Sequence, residues 1–181
     1  MLVLIGASAS GKTEIAKIII HRYGFQKLVT CTTRERRAGE LDGVDYHFLT
    51  VGDFLRRRAE GYFIETATYG GNYYGTPREE IRSDRVLIVD TKGANVLNAK
   101  LGRRLTIFFL EAPKSVRAQR MIARGDALDD IEHRLEVDDE RFDPARLDRL
   151  DHLVRTRNKT LEELASEIHN LYRKHFPEGT R

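Results

Sequence analysis

The eight residues Gly6-Ala7-Ser8-Ala9-Ser10-Gly11-Lys12-Thr13 constrain this chain more than any other stretch. They follow directly on the apolar run Met1-Leu2-Val3-Leu4-Ile5 and lead into Ile15, Ile18, Ile19 and Ile20, so the order is strand, glycine-bounded loop, helix. The spacing G-x-x-x-x-G-K-[ST] suits a backbone that curls around a phosphate, because small residues let successive N–H groups approach the oxygens without a Cβ in the way. The helix that opens at the loop adds the positive end of its dipole. Lys12 would place a point charge on the outer phosphates, and the Thr13 hydroxyl would enter the shell of a Mg²⁺ bridging them. Ala7, Ser8, Ala9, Ser10, Gly11, Lys12 and Thr13 are thus expected to hold nucleotide phosphates, with Thr13 the metal ligand.

The rest of the chain alternates between strand-like runs and helical periodicity. With 181 residues and 40% hydrophobic content it can bury one good core, not two. Helices are predicted over 11–23, stopped by Gly24, then 50–60, 77–83, 94–101, 115–124, 129–141 and 161–176. Strands are predicted over 1–5, 27–30, 46–49, 85–90 and 105–110, with a weak one centred on Leu153-Val154. A hairpin of 63–69 and 72–76 turns at Gly70-Gly71, and 34–43 reads as a long polar loop. The fold class is therefore α/β: a parallel sheet with helices on both faces, interrupted between about 34 and 80 by a small mixed subdomain. Asp90 would close a core strand at its carboxyl end, where open α/β sheets place their ligands.

A formal charge of +3 and a pI near 9.0 suit small polyanions as well as nucleic acid. The arginines fall in local groups, 34, 36 and 37 or 117, 120 and 124, which favours pockets over a nucleic-acid face. Cys31 is the sole cysteine, so no intrachain disulfide and no cysteine-type zinc site can form. No apolar run approaches the length of a bilayer crossing, and no basic region precedes the first. A cytoplasmic protein without membrane or nucleic-acid partners is expected, monomeric or homodimeric.

A phosphate loop specifies only a nucleotide, so the acceptor has to be read elsewhere. Arg34 and Arg37, three apart, together with Tyr46 and Tyr74 could cage a dianionic phosphate. They could equally be solvated arginines and hairpin-packing tyrosines. The blocks Gly6 to Thr13, Thr32-Thr33-Arg34, Gly39-Glu40-Leu41-Asp42-Gly43-Val44-Asp45-Tyr46-His47-Phe48, Phe63-Ile64-Glu65 and Gly71-Asn72-Tyr73-Tyr74-Gly75-Thr76 together resemble the guanylate kinase family. The resemblance runs through nearly the whole chain. It implies one phosphate-loop kinase domain with a core of 1–31 and 81–181, a GMP-binding insert of about 32–80 and a helical lid of about 120–141. It implies transfer of the γ-phosphoryl group of MgATP to GMP, and to dGMP. By the same resemblance Thr30, Arg34, Arg37, Tyr46, Glu65, Tyr74, Thr76 and Asp90 would bind GMP, and Lys12, Arg37, Arg120, Arg124 and Arg134 would act on the transferring group. Glu65 suits guanine chemically, since N1–H and the 2-amino group are both donors that one carboxylate can accept.

The chain departs from the family pattern at Ile88, where an acid is usual, at Lys92, where glutamine is usual, and at Thr156-Arg157-Asn158-Lys159 beside the expected adenine pocket. These departures keep a catalytically weak or inactive binding module open, as well as a related kinase for another phosphorylated acceptor. Asp90-Thr91-Lys92-Gly93 and Asn158-Lys159 also echo GTPase motifs, but Leu161 stands where the guanine-reading acid would be. Binding of both substrates is expected to draw insert and lid together, the lid arginines repelling one another until phosphates arrive.

Overall fold

The computed structural model describes residues 1–37, 39–69 and 71–177. In chain order the elements are β1 (Leu2–Ile5), α1 (Lys12–Tyr23), β2 (Gln26–Lys27), β3 (Cys31–Thr32), β4 (His47–Phe48), α2 (Val51–Ala59), β5 (Phe63–Tyr69), β6 (Asn72–Pro77), β7 (Arg85–Ile88), α3 (Thr91–Leu101), β8 (Thr106–Glu111), α4 (Lys114–Ala123), α5 (Leu128–Arg141), β9 (His152–Arg155) and α6 (Leu161–His175).

β1 is apolar at every position because it is buried on both faces. It lies in parallel register between β7 and β8, and the sheet order is β2-β7-β1-β8-β9 with every pair parallel. The two-residue period of the strands then divides the core. Leu2, Leu4, Val86, Phe108 and Leu110 face α1 and α6, meeting Ile15, Ile19, Leu164, Ile168 and Tyr172. Met1, Val3, Ile5, Leu87, Ile107 and Phe109 face the other way, against Ala94, Leu97 and Leu101 of α3. Each such side chain withdrawn from water contributes about 1.5–3 kcal/mol, which fixes β1 and hence the start of the glycine loop at the sheet's centre.

Residues 31–77 build a second sheet, β4-β3-β6-β5, parallel between β3 and β4 and antiparallel elsewhere. On one of its faces Phe54 of α2 stacks on Phe63 (ring centroids 4.5 Å apart) and on Tyr73 (5.5 Å). Gly75 lies over that stack: a Cβ there would fall 2.7 Å from Cδ1 of Phe63, a ring already stacked on Phe54. Gly75→Ala is expected to cost about 1–3 kcal/mol of stability by overpacking, read as a lower urea midpoint. An unchanged midpoint would show that the ring can shift freely.

Three sequence expectations need correction. The strand expected over 27–30 is two pieces: Gln26–Lys27 pairs with β7, and Cys31–Thr32 joins the second sheet. Leu28, anchored in the core of the first sheet, sits where the chain leaves one sheet for the other. The helix expected from Pro77 is only a 3-10 turn, Arg78–Glu80, because Pro77 completes β6 opposite Phe63 and Ile81 turns into the core. The strand expected through Asp90 stops at Ile88, which is 38% exposed, and Asp90 instead caps α3 by accepting from the Gly93 N–H at 2.8 Å. Of the predicted hairpin turn, Gly70 lies outside the described residues.

Candidate active site

The glycine loop leaves β1 tightly packed. A Cβ on Gly6 would lie 2.6 Å from the Leu110 carbonyl and 2.9 Å from the Ser10 hydroxyl, so only glycine lets the loop lie this close to β8. Ala9 holds a left-handed φ of 58°, uncommon for a residue with a Cβ and a mark of a constrained turn. The Ser10 N–H donates to Ala7 O at 3.2 Å, and its fully buried hydroxyl has no hydrogen-bond partner among the described residues. Lys12 folds back on its own loop, donating to the carbonyls of Gly6 (2.6 Å) and Ala7 (2.8 Å). Ala9, Gly11, Lys12, Thr13, Glu14, Arg120, Arg124 and Leu161 line an open cleft of about 410 Å³.

Burial lowers the Lys12 ammonium from 10.5 to about 8, with Asp138 opposing and Arg117 adding to the fall. A phosphate beside it would raise that value again. Anion binding therefore draws on a lysine that is already mostly charged below about pH 7 and must take up a proton as pH rises through 8. The affinity for MgATP is expected to be flat below pH 7 and to weaken by up to tenfold per pH unit above about 8. Calorimetric titration across pH 6.5–9.5 checks this, and a flat profile would remove Lys12 from the anion site.

The other arginines predicted for this site are close together, but each has a partner. Arg120 donates to Ala9 O at 3.0 Å, at the edge of the loop. Arg124 pairs with Asp126 through two N–H groups, and Arg134 reaches the same carboxylate at 3.3 Å. Asp126 sets one negative charge between Arg124 and Arg134, which lessens the expected mutual repulsion of the lid arginines without removing it. Its carboxyl is held below the usual range chiefly by the Arg124 hydrogen bonds.

The second sheet presents the remaining candidates. Along β6, Tyr74 and Thr76 are two apart and share one face, while Tyr73 points to the other and packs on Phe54. On the shared face Thr76, 2% exposed, donates its hydroxyl to Oε1 of Glu65 at 2.7 Å, directly across the hairpin. A carboxylate so held keeps lone pairs for two further donors. Tyr74 lies 6.2 Å from Tyr46, ring centroid to centroid, and the Arg34 guanidinium sits 5.6 Å above the Tyr46 ring. Glu40 accepts from Arg34 Nη2 at 2.7 and 2.9 Å and from the Arg37 main-chain N–H at 2.8 Å, so the Arg34 guanidinium is held by a carboxylate. The Arg37 side chain is exposed. Thr30, half-buried, accepts the His47 N–H at 2.9 Å through its carbonyl, beside this sheet.

Asp90 is engaged by Arg141 at 2.7 Å as well as by Gly93. Burial works against its charge, but the Gly93 N–H and Arg141 outweigh it and keep the carboxyl below the usual range. Glu40, Asp126, Asp138 and Arg141 were not singled out from the sequence for these roles. For Asp138 a signal existed: Ile131, Leu135 and Asp138 are spaced four and three apart on α5 and all are buried, so an acid stands at a core position. Asp138 Oδ2 accepts the Ser8 N–H of the loop at 2.6 Å.

A glycine loop between a central parallel strand and a helix, with a basic cleft above it, defines a phosphate-loop nucleotide-binding fold. Among solved structures, a guanylate kinase from Anaplasma phagocytophilum aligns over 99% of this chain and 87% of its own with a TM-score of 0.64 at 24% identity. A shikimate kinase from Acinetobacter baumannii aligns over 98% and 94% with a TM-score of 0.55 at 15% identity, and these likenesses bear on the fold. The chain belongs to the guanylate kinase family: the family model described as Guanylate kinase matches residues 1–174. A curated guanylate kinase of Symbiobacterium thermophilum is 38% identical over 132 residues, 69% of this chain, and that match spans 63% of the relative's length. One from Chlorobium chlorochromatii is 33% identical over 168 residues, covering 88% of each. No helix among the described residues is long and apolar enough to cross a membrane.

Proposed function

We propose that this protein transfers the γ-phosphoryl group of MgATP to GMP, and to dGMP, giving ADP and the nucleoside diphosphate. The observation that carries the reading is the shared face of β6, on which the Thr76–Glu65 pair lies beside the cluster of Arg34, Tyr46 and Tyr74. A carboxylate for two guanine donors next to cations and phenols for a phosphate is the chemistry of GMP. Adenine, with an acceptor at N1, would leave Glu65 facing a lone pair, an unpaired buried contact that supports discrimination of about 10⁴. Residues 1–31 and 81–181 are read as the core, about 32–80 as the acceptor insert and about 120–141 as the lid.

In this reading one oxygen of the GMP phosphate bonds to the γ-phosphorus as the bond to the β–γ bridging oxygen breaks. The attacking oxygen is already anionic, so no general base is required. Backbone N–H groups of the loop and the Lys12 ammonium hold the donor phosphates. Arg34 and Arg37 orient the acceptor, which asks the Arg34 guanidinium to exchange Glu40 for phosphate. Arg120, Arg124 and Arg134 supply positive charge where it builds up on the transferring group, in a site that needs alignment and neutralisation more than proton transfer.

The residues present suit Mg²⁺. That ion keeps several waters and takes one or two protein oxygens besides phosphate, and Thr13 offers an exposed hydroxyl in the first turn of α1 beside Lys12. When bound it would neutralise charge on the β and γ oxygens. Ile88 brings no carboxylate to that surface. The test is an assay of ADP formation with GMP, dGMP, AMP, CMP and UMP as acceptors. Turnover confined to the guanine nucleotides is expected, and none above background with any acceptor would overturn the proposal.

A further inference from the structure

The contact between α5 and the glycine loop has no part in the chemistry above, yet it lies across the donor site. Asp138 is 6% exposed, and its Oδ2 takes the Ser8 N–H at 2.6 Å although 130 residues separate the two. The apolar stripe of α5 explains how it gets there. Ile131 and Leu135 pack with Met121 of α4 and against Ala9 and Ala118, and the next position on that stripe is Asp138. Docking the apolar face therefore carries an acid into the loop. Arg117 of α4, 4% exposed, lies behind it, with Nη1 3.8 Å from Asp138 Oδ2 and Nη2 bonded to Asp139. Its Nε and Nη1 have no hydrogen-bond partner among the described residues. Lys12, meanwhile, is turned onto its own loop carbonyls.

We infer that Asp138 is an intramolecular occupant of the phosphate loop, an autoinhibitory carboxylate that nucleoside triphosphate must displace in order to bind. A single N–H makes one strong hydrogen bond, so Ser8 cannot serve Asp138 and a phosphate oxygen together. A multiply charged phosphate would also meet a buried carboxylate at close range, where repulsion is little screened. The two states are mutually exclusive, and the ligand has the differential affinity that shifts one to the other. Asp138 shares α5 with Arg134, so its release frees the helix that carries a lid arginine. Occupancy of the loop is thereby linked to the position of the lid. Arg117 keeps Asp139 as its partner when Asp138 leaves, so its buried charge is not orphaned by the exchange.

The inference rests on the loop binding nucleotide phosphates and is tested by binding, not turnover. MgATP affinity is measured calorimetrically without GMP for the wild type, Asp138→Asn and the double variant Arg117→Met/Asp138→Leu, which leaves no orphan charge should the single variant fail to fold. A docked population of about 90–99% predicts roughly 10- to 100-fold tighter MgATP binding in the variants, with adenosine affinity unchanged. In the wild type, inorganic pyrophosphate should speed amide exchange over residues 135–141. Unchanged or weaker MgATP binding in the folded variants, or added protection of 135–141 with pyrophosphate, overturns the inference. Should the wild type phosphorylate GMP while the variants bind MgATP no more tightly, the inference falls and the proposed function stands. Tighter binding with no acceptor phosphorylated is the reverse.

Discussion

Lys12→Ala should reduce phosphoryl transfer to GMP by roughly 10³-fold or more while leaving the protein folded. The size follows from what one positive charge at a transferring phosphoryl group is worth, about 10³–10⁵ for an arginine in related chemistry. The lysine's contacts within the loop argue that the fold survives. Its ammonium donates to two carbonyls of its own loop, and burial lowers it to about 8, so holding that charge there opposes folding at neutral pH. Truncation removes two hydrogen bonds and relieves that opposition, and the two effects offset. The thermal midpoint is expected to stay within a few degrees of wild type, since about 1 kcal/mol corresponds to roughly 2–4 °C in a domain of this size. A variant that loses activity together with its midpoint would mean that Lys12 is needed for the loop's shape, not for its charge.

Glu65→Gln is expected to lower kcat/KM for GMP by about 2–4 kcal/mol, roughly 30- to 1,000-fold, from one charged hydrogen bond lost and one donor set against a donor. The fold should tolerate it, because the amide oxygen can still accept from the Thr76 hydroxyl that now holds Oε1 at 2.7 Å. Replacing Thr76 by valine is the milder companion, since it loosens the carboxylate without removing it. The decisive comparison is between bases. If Glu65 reads guanine, the variant loses GMP turnover without a matching loss for inosine monophosphate, which lacks the 2-amino donor. An equal fall for both would assign Glu65 to the hairpin alone.

Much of the candidate donor site was legible because the loop that would form it depends on backbone and spacing. Gly6 and Gly11 bound a loop whose geometry any strand–loop–helix of that spacing must approach, and β1 was legible because a strand buried on both faces has no polar positions. The acceptor face was legible in part: the two-residue period puts Tyr74 and Thr76 together, whereas pairing Thr76 with Glu65 requires the hairpin register. What escaped were the carboxylates. Glu40 is only six residues from Arg34, but nothing in the loop's composition separates it from Glu35, which gives Arg34 only its main-chain carbonyl. Asp90 and Arg141 are 51 residues apart, and Ser8 and Asp138 are 130 apart. Such pairs are set by how α5 lies against the loop and the start of α3, a packing outcome that local pattern does not encode. Asp126 shows the same limit, since its bond to Arg124 is local but its reach to Arg134 depends on the turn between α4 and α5. The 77–83 segment failed differently: Pro77 and Thr76 read as a helix start, and the burial of Ile81 prevailed over local propensity.

Direct transfer from donor to acceptor is the central claim, and isotopic labelling tests it most directly. With [γ-³²P]ATP, Mg²⁺ and GMP, the account predicts that label leaves ATP only when GMP is present and appears in the β-phosphate of GDP, one labelled GDP for each ADP formed. Label released as inorganic phosphate at the same rate with or without GMP, or retained in ATP throughout, would contradict it.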